Sequence, residues 1–168
     1  RGGDLVFQDL DCGARCALIE SVTGSRYTHV GVVLEDEGEF VVWEAFAPVG
    51  PTPLSEWVWR GVGHEYAVYR PRAAVDSARL RSALERWRGR DYDGDYQWDH
   101  ERIYCSELVA LALGELGLEI APSPIALGED AARVRRLSGG RIDEGTMMVT
   151  PRALTEHEGF GRVWDPLR

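Results

Sequence analysis

A chain of 168 residues, 44% of them hydrophobic, carries enough apolar material to bury the core of one domain. Its net charge of −9 and pI near 4.9 argue against nucleic acid as a partner, since no basic patch offsets phosphate repulsion. No apolar run is long enough to span a bilayer, so no stable membrane insertion is expected; the chain opens on Arg1 rather than methionine, so the lack of a signal peptide fixes no location.

Gly3-Asp4-Leu5-Val6-Phe7-Gln8 reads as a turn and a short strand. Asp11 to Val22, with Ala14, Leu18 and Val22 apolar, predicts a helix stopped by Gly24. Cys12 and Cys16 would share a face of that helix. Regular helix geometry does not favour a disulfide there, so two small buried residues are the simpler reading. Strands follow over Thr28 to Leu34 and Phe40 to Phe46, joined by the turn Glu35-Asp36-Glu37-Gly38. Pro48 to Pro53 reads as a loop and Leu54 to Trp59 as a short helix. His64 to Arg70 alternates like a strand and ends at Pro71. Ala74 to Arg88 is the clearest amphipathic helix, with Leu80, Leu84 and Trp87 on one face. Gly89 to Arg102 is a polar loop leading into a strongly apolar helix that starts at Cys105 and ends near Gly114. Glu129 to Leu137 predicts a further helix, and Met147 to Thr150 a strand before Pro151. With no repeat and no low-complexity linker, the expectation is one α+β domain over residues 1–168.

Cys105 opens its helix, so its sulfur lies over the first turn, where the helix's partial positive charge favours thiolate over thiol. A thiolate nucleophile needs an imidazole and a group to orient it. The hairpin offers both. With a loop from Glu35 to Gly38, Leu34 pairs with Glu39, Val33 with Phe40, Gly31 with Val42 and His29 with Glu44. Period two then puts His29 and Glu44 on one face, directly opposed, with Cβ atoms roughly 5 Å apart. A one-residue slip would send them to opposite faces. A carboxylate on one ring nitrogen fixes the tautomer and supports the imidazolium, leaving the other nitrogen for the thiol proton. Taken singly, His29 reads as a half-buried sheet residue, Glu44 as a solvated one and Cys105 as filler. Taken together they read as base, orienting residue and nucleophile.

Other residues read more plainly. The third cysteine leaves at least one free thiol in any pairing, and no zinc ligand set is spaced along the chain. His64, His100 and His157 read as surface residues. His100 could border the site, but no carboxylate is obviously placed to orient it. Asp91-x-Asp93-x-Asp95 resembles the start of a calcium loop, yet Tyr96 and Arg102 stand where that loop needs Gly and Glu. Trp43, Trp57, Trp59, Trp87 and Trp98 read as core or cleft wall.

Three blocks carry a resemblance: Thr28-His29-Val30-Gly31-Val32-Val33, Val42-Trp43-Glu44-Ala45 and Tyr104-Cys105-Ser106-Glu107-Leu108-Val109. They resemble the signature blocks of the YiiX/YaeF-type hydrolases, circularly permuted relatives of the NlpC-type peptidases in the papain-like superfamily. Gly3-Asp4-Leu5-Val6-Phe7 resembles that family's opening strand and Thr150-Pro151-Arg152-Ala153-Leu154 its closing segment. The resemblance implies a permuted papain-like α+β fold, with a small, mostly antiparallel sheet packed against the cysteine helix. It implies a thiol hydrolase with Cys105 as nucleophile, His29 as base and then acid, and Glu44 as orienting residue. Gly89-Arg90-Asp91-Tyr92 resembles the NlpC-type Gly-x-x-Tyr element, which would make Tyr92 an oxyanion donor. The Cys105 backbone N–H, at a helix start, is the donor favoured on physical grounds.

The expected activity is cysteine-dependent cleavage of a short peptide amide in a cell-wall fragment, without a cofactor. The expected setting is periplasmic, envelope-associated or secreted rather than cytoplasmic. A lipid acyl hydrolase or acyltransferase of the lecithin:retinol acyltransferase-like type is the first alternative, because it shares the acyl-cysteine intermediate. A binding module that has lost turnover is the second.

Overall fold

The computed structural model describes residues 1–166. A six-stranded sheet organises it: β1 (Leu5–Gln8), β2 (His29–Asp36), β3 (Glu39–Glu44), β4 (Gly50–Pro53), β5 (Ala67–Pro71) and, after the two short strands below, β8 (Phe160–Trp164). The spatial order is β4-β3-β2-β1-β5-β8, and every neighbouring pair is antiparallel. A small ribbon, β6 (Ser123–Pro124) with β7 (Met147–Met148), lies apart. The helices are α1 (Ala14–Thr23), α2 (Leu54–Arg60), α3 (Ser77–Glu85), α4 (Cys105–Gly114), α5 (Ala131–Leu137) and α6 (Pro151–Glu156).

The alternation of β1, β2 and β3 divides their side chains between two faces. Leu5, Phe7, Val30, Val32, Leu34 and Trp43 face the main core, where α3 supplies Leu80 and Leu84 and α4 supplies Leu108, Val109 and Leu113. Val6, Val33 and Val42 meet Trp57 of α2 on the opposite face. Helix α4 is apolar on nearly every side and correspondingly buried, the signature of a central helix. A third cluster, including Leu18, Ile19, Tyr96, Tyr104, Val134, Ile142 and Met148, joins α1 and α5 to the loop before α4.

Several expectations change. The hairpin turn is Glu37-Gly38, with Asp36 opposite Glu39 and Leu34 opposite Val41, so the register is two residues from the expected one. Gly38, at φ 85°, takes the left-handed conformation the tighter turn needs. The segment Pro48 to Pro53, expected as loop, contains β4. Its two prolines are tolerated because β4 is an edge strand. Helix α1 starts at Ala14, so Cys12 lies outside it, across Gly13 at φ 62°. The turn brings the Cys12 and Cys16 Cα atoms to 5.2 Å, and the two form a disulfide, which a regular helix would have resisted. Gly24 ends α1 in the left-handed conformation, as expected.

Helix α3 is shorter than expected: Asp76 caps it through the Ala78 and Arg79 N–H groups, and Trp87 lies beyond its end. His64 closes a 3₁₀ turn, Val62–His64, instead of opening a strand. The C-terminal α6 and β8 were not expected; Thr150 caps α6 by accepting from Ala153 N–H.

Candidate active site

Cys105 is the first residue of α4 and, among the described residues, the free cysteine; it is 2% exposed. Its neighbours clamp it from both sides onto one residue. Tyr104 Oη accepts from Val149 N–H at 3.1 Å, and Ser106 Oγ donates to Val149 C=O at 2.8 Å. The first turn of α4 is thereby fixed relative to the strand end that leads into Thr150-Pro151. As an N-terminal residue of the helix, Cys105 has a backbone N–H with no intrahelical acceptor, free to meet a developing oxyanion.

His29 is the first residue of β2 and is also 2% exposed. The two-residue shift of the hairpin keeps His29 and Glu44 on one face, because the side-chain period is two. Gly31, rather than His29, is the residue on a level with Glu44, which therefore reaches diagonally along the face. A Cβ at Gly31 would lie 2.3 Å from Val42 Cγ1 and 3.5 Å from Glu44 Cβ, so only glycine leaves that path open. Across it, His29 Nε2 meets Glu44 Oε2 at 2.5 Å. With Nε2 engaged, Nδ1 is the nitrogen left for the Cys105 thiol, the ring's other hydrogen-bonding neighbour.

Glu44 has two further partners that the sequence did not single out. Thr52 Oγ1, on β4, donates to Oε1 at 2.6 Å, and the Arg60 guanidinium at the end of α2 pairs with the same oxygen. Arg60 also lies over the Phe46 ring at 4.2 Å, and Phe46 packs edge-on against His29 at 5.8 Å. Burial works against both charges. For His29 the hydrogen bonds to Cys105 and Glu44 outweigh it and push the imidazole up to about 9. For Glu44 burial is likewise outweighed by His29, Thr52 and Arg60, which hold the carboxyl below its usual range. At neutral pH the pair is an imidazolium and a carboxylate.

Tyr92 and Tyr96 stand beside this group. Burial, then the charge on Cys105, pushes the Tyr92 phenol well up, and the same pressures raise Tyr96 to about 12. Beside Cys105 opens a narrow, wholly apolar slot of about 20 Å³, lined by Leu18, Ile19 and Val22 of α1 together with Tyr96, Met148 and Val149. That volume admits a group about the size of a water or a methyl.

Two more residues near the site went unread in the sequence. Gln8 lies opposite His29 in the β1–β2 register, fully buried, with neither amide atom hydrogen-bonded within the described protein. Nothing in a strand-terminal Gln signals this. Glu107, also fully buried, is the carboxylate that His100 was thought to lack: Oε1 meets His100 Nδ1 at 2.7 Å and Oε2 accepts from Tyr104 N–H at 3.3 Å. The capping spacing from Tyr104 to Glu107 was the available clue. The remaining histidines stay outside the site, His64 stacked on exposed Trp59 at 4.2 Å and His157 packed on Phe160 at 5.7 Å. Asp93 is buried and caps the Asp95 and Gln97 N–H groups, while Asp95 pairs with Arg102 and Arg141. Among the described residues no group of three or more His, Cys, Asp or Glu side chains converges in a way that could hold a metal.

The comparisons with known proteins agree in direction. Residues 1–163 match the family described as permuted papain-like amidase enzymes, YaeF/YiiX, C92. The uncharacterized protein YiiX of Escherichia coli K12 is 31% identical over 162 residues, covering 90% of this chain and 80% of that protein. The crystal structure of YiiX from Escherichia coli O157:H7, described as a metalloprotein, superposes with a TM-score of 0.88 at 25% identity, covering 100% of this chain and 98% of that one. The chain belongs to the family of permuted papain-like amidases.

Proposed function

We propose that this protein hydrolyses a short peptide amide through an acyl-thioester on Cys105, with His29 as the acid–base residue and Glu44 as its orienting carboxylate. The observation that supports this best is the sharing of one buried imidazole between Glu44 and the Cys105 thiol at a helix start. Cys105 attacks the scissile carbonyl as a thiolate, its proton already held on the His29 imidazolium. The carbonyl oxygen takes the negative charge and is met by the Cys105 N–H and, in this reading, by the Tyr92 hydroxyl. His29 returns the proton to the leaving amine as the C–N bond breaks. It then takes a proton from water as that water attacks the thioester, and the thiol leaves with the acid released. Glu44 remains ionised throughout and keeps Nε2 occupied.

YiiX's description as a metalloprotein leads to no step here, because the described residues gather no donor set for a metal. A cell-wall peptide is the substrate we favour, in an envelope or extracellular setting. A lipid ester is the second reading, and the apolar slot beside Cys105 is the observation in its favour. Screening peptidoglycan fragments beside short-chain phospholipids decides between them. Mass spectrometry should find the acyl half of a cleaved peptide on Cys105 during turnover, and Cys105→Ala should lose turnover by at least about 10³-fold while keeping its fold. Full activity in Cys105→Ala would overturn the mechanism.

A further inference from the structure

Arg15 is the second residue of α1, inside the short loop closed by the Cys12–Cys16 disulfide. Its guanidinium lies over the Tyr92 ring, 5.3 Å from the centroid. Among the described residues it makes no ion pair or hydrogen bond. Other arginines in this part of the molecule are taken up: Arg60 pairs with Glu44, Arg26 with Asp9, and Arg102 with Asp93 and Asp95. Scarcity does not explain the difference, since the chain carries 28 acidic side chains against 19 basic ones.

The position of Arg15 relates it to the nucleophile. Tyr92 lies beneath the guanidinium, and Tyr96, edge-on to Tyr92 at 6.4 Å, lines the slot together with Cys105, so the two rings connect guanidinium and sulfur. Leu18, Ile19 and Val22 follow Arg15 along one face of α1 at helical spacing, and all three line the slot beside Cys105. That face of α1 therefore runs from a cation over the Tyr92 ring to an apolar wall of the slot.

We propose that Arg15 anchors a carboxylate on the substrate, next to the acyl group that Cys105 attacks. The inference rests on the thiol-hydrolase reading and narrows its substrate class to acyl donors bearing a carboxylate near the scissile bond. A lone guanidinium fork matches one carboxylate through two parallel hydrogen bonds, whereas a phosphate ester ordinarily gathers several cations or backbone N–H groups. In a body of net charge −9, such a cation also offsets the general repulsion that an anionic substrate meets.

The test needs no substrate. The unreduced protein is alkylated at Cys105, its free thiol, with iodoacetate and in parallel with iodoacetamide, which differ in one negative charge. At low ionic strength Arg15→Gln should lower the iodoacetate rate about fivefold relative to the iodoacetamide rate, the scale of one partly screened charge. Arg15→Lys should retain most of the iodoacetate preference, and added salt should erase the wild-type preference. An unchanged ratio in Arg15→Gln, or a ratio lost equally in Arg15→Lys, overturns the assignment. His29→Ala reports on the underlying mechanism separately: it should slow both reagents together and leave the dependence of their ratio on Arg15 in place. If His29→Ala slows neither, the hydrolase reading fails and the substrate assignment falls with it.

Discussion

At the scale of single residues, the chemistry depends on how His29 divides its two nitrogens. The imidazole is raised to about 9, so its positive charge contributes stability that is fully present below about pH 6.5 and is lost as pH rises through about 9. In the proposed mechanism the same titration removes the proton that the leaving amine needs. The pH profile of kcat/KM should therefore carry an alkaline limb near pH 9. Glu44→Gln removes the charge that favours the imidazolium, so that limb should move to lower pH and kcat/KM should fall by one to two orders of magnitude. A limb that stays in place in Glu44→Gln would show that Glu44 does not set the protonation of His29. The raised imidazole depends on partners that no single position announces. Thr52 lies in a segment read as loop, and Arg60 at the end of a short helix whose tertiary neighbour cannot be known in advance.

At the scale of elements, the hairpin carries the clearest lesson about what a sequence tells. Alternation alone gave the shared face of His29 and Glu44, and a two-residue error in the turn could not disturb it. The turn length decided the finer point, whether the pair meets directly or diagonally, and local sequence did not resolve it. Gly31→Ala tests the diagonal. The added methyl meets Val42 and the Trp43 carbonyl, at 2.3 and 2.9 Å, and should cost about 2 kcal/mol in a urea or thermal melt. An essentially unchanged stability would mean that the strand slides without cost.

The cysteine helix, the Gly24-stopped α1 and the strands β1 to β3 were legible because apolar period and glycine act locally. The disulfide and β4 were not. Each is set by contacts that override local rules, a turn outside the helix in one case and an edge position in the other.

Helix α4 makes a second element-scale prediction. Burial above all, opposed by His100 and the Tyr104 N–H, raises Glu107 to about 7 from 4.5. The folded protein then holds that proton more tightly than the unfolded chain does, so ionising Glu107 costs stability progressively between about pH 4.5 and 7. Glu107→Gln should gain on the wild type across that window, levelling off at about 2 kcal/mol once screening is allowed for. A stability difference independent of pH in paired melts would mean that Glu107 does not titrate there.

On the whole-molecule scale, the slot beside Cys105 is assembled from segments far apart in sequence: α1, the loop carrying Tyr96, the start of α4 and the residues before Pro151. The disulfide lies at one margin of this assembly rather than at its centre. Closing so short a loop restricts the unfolded chain little, so reduction should cost about 2 kcal/mol and a few degrees of melting temperature. Loss of cooperative unfolding on reduction would contradict this.

The edge strand β4 has one more consequence. Thr52 faces β3 in the ladder and steadies Glu44, while Pro51 and Pro53 on either side have no N–H to present outward. The rim of the sheet beside the carboxylate is therefore closed to any incoming strand, from an extended ligand or from another copy of the chain. A peptide cannot zip onto this sheet next to Glu44. Under the proposed hydrolysis a peptide would reach the thiol across the loops and α1, so those surfaces, rather than backbone pairing, would set selectivity.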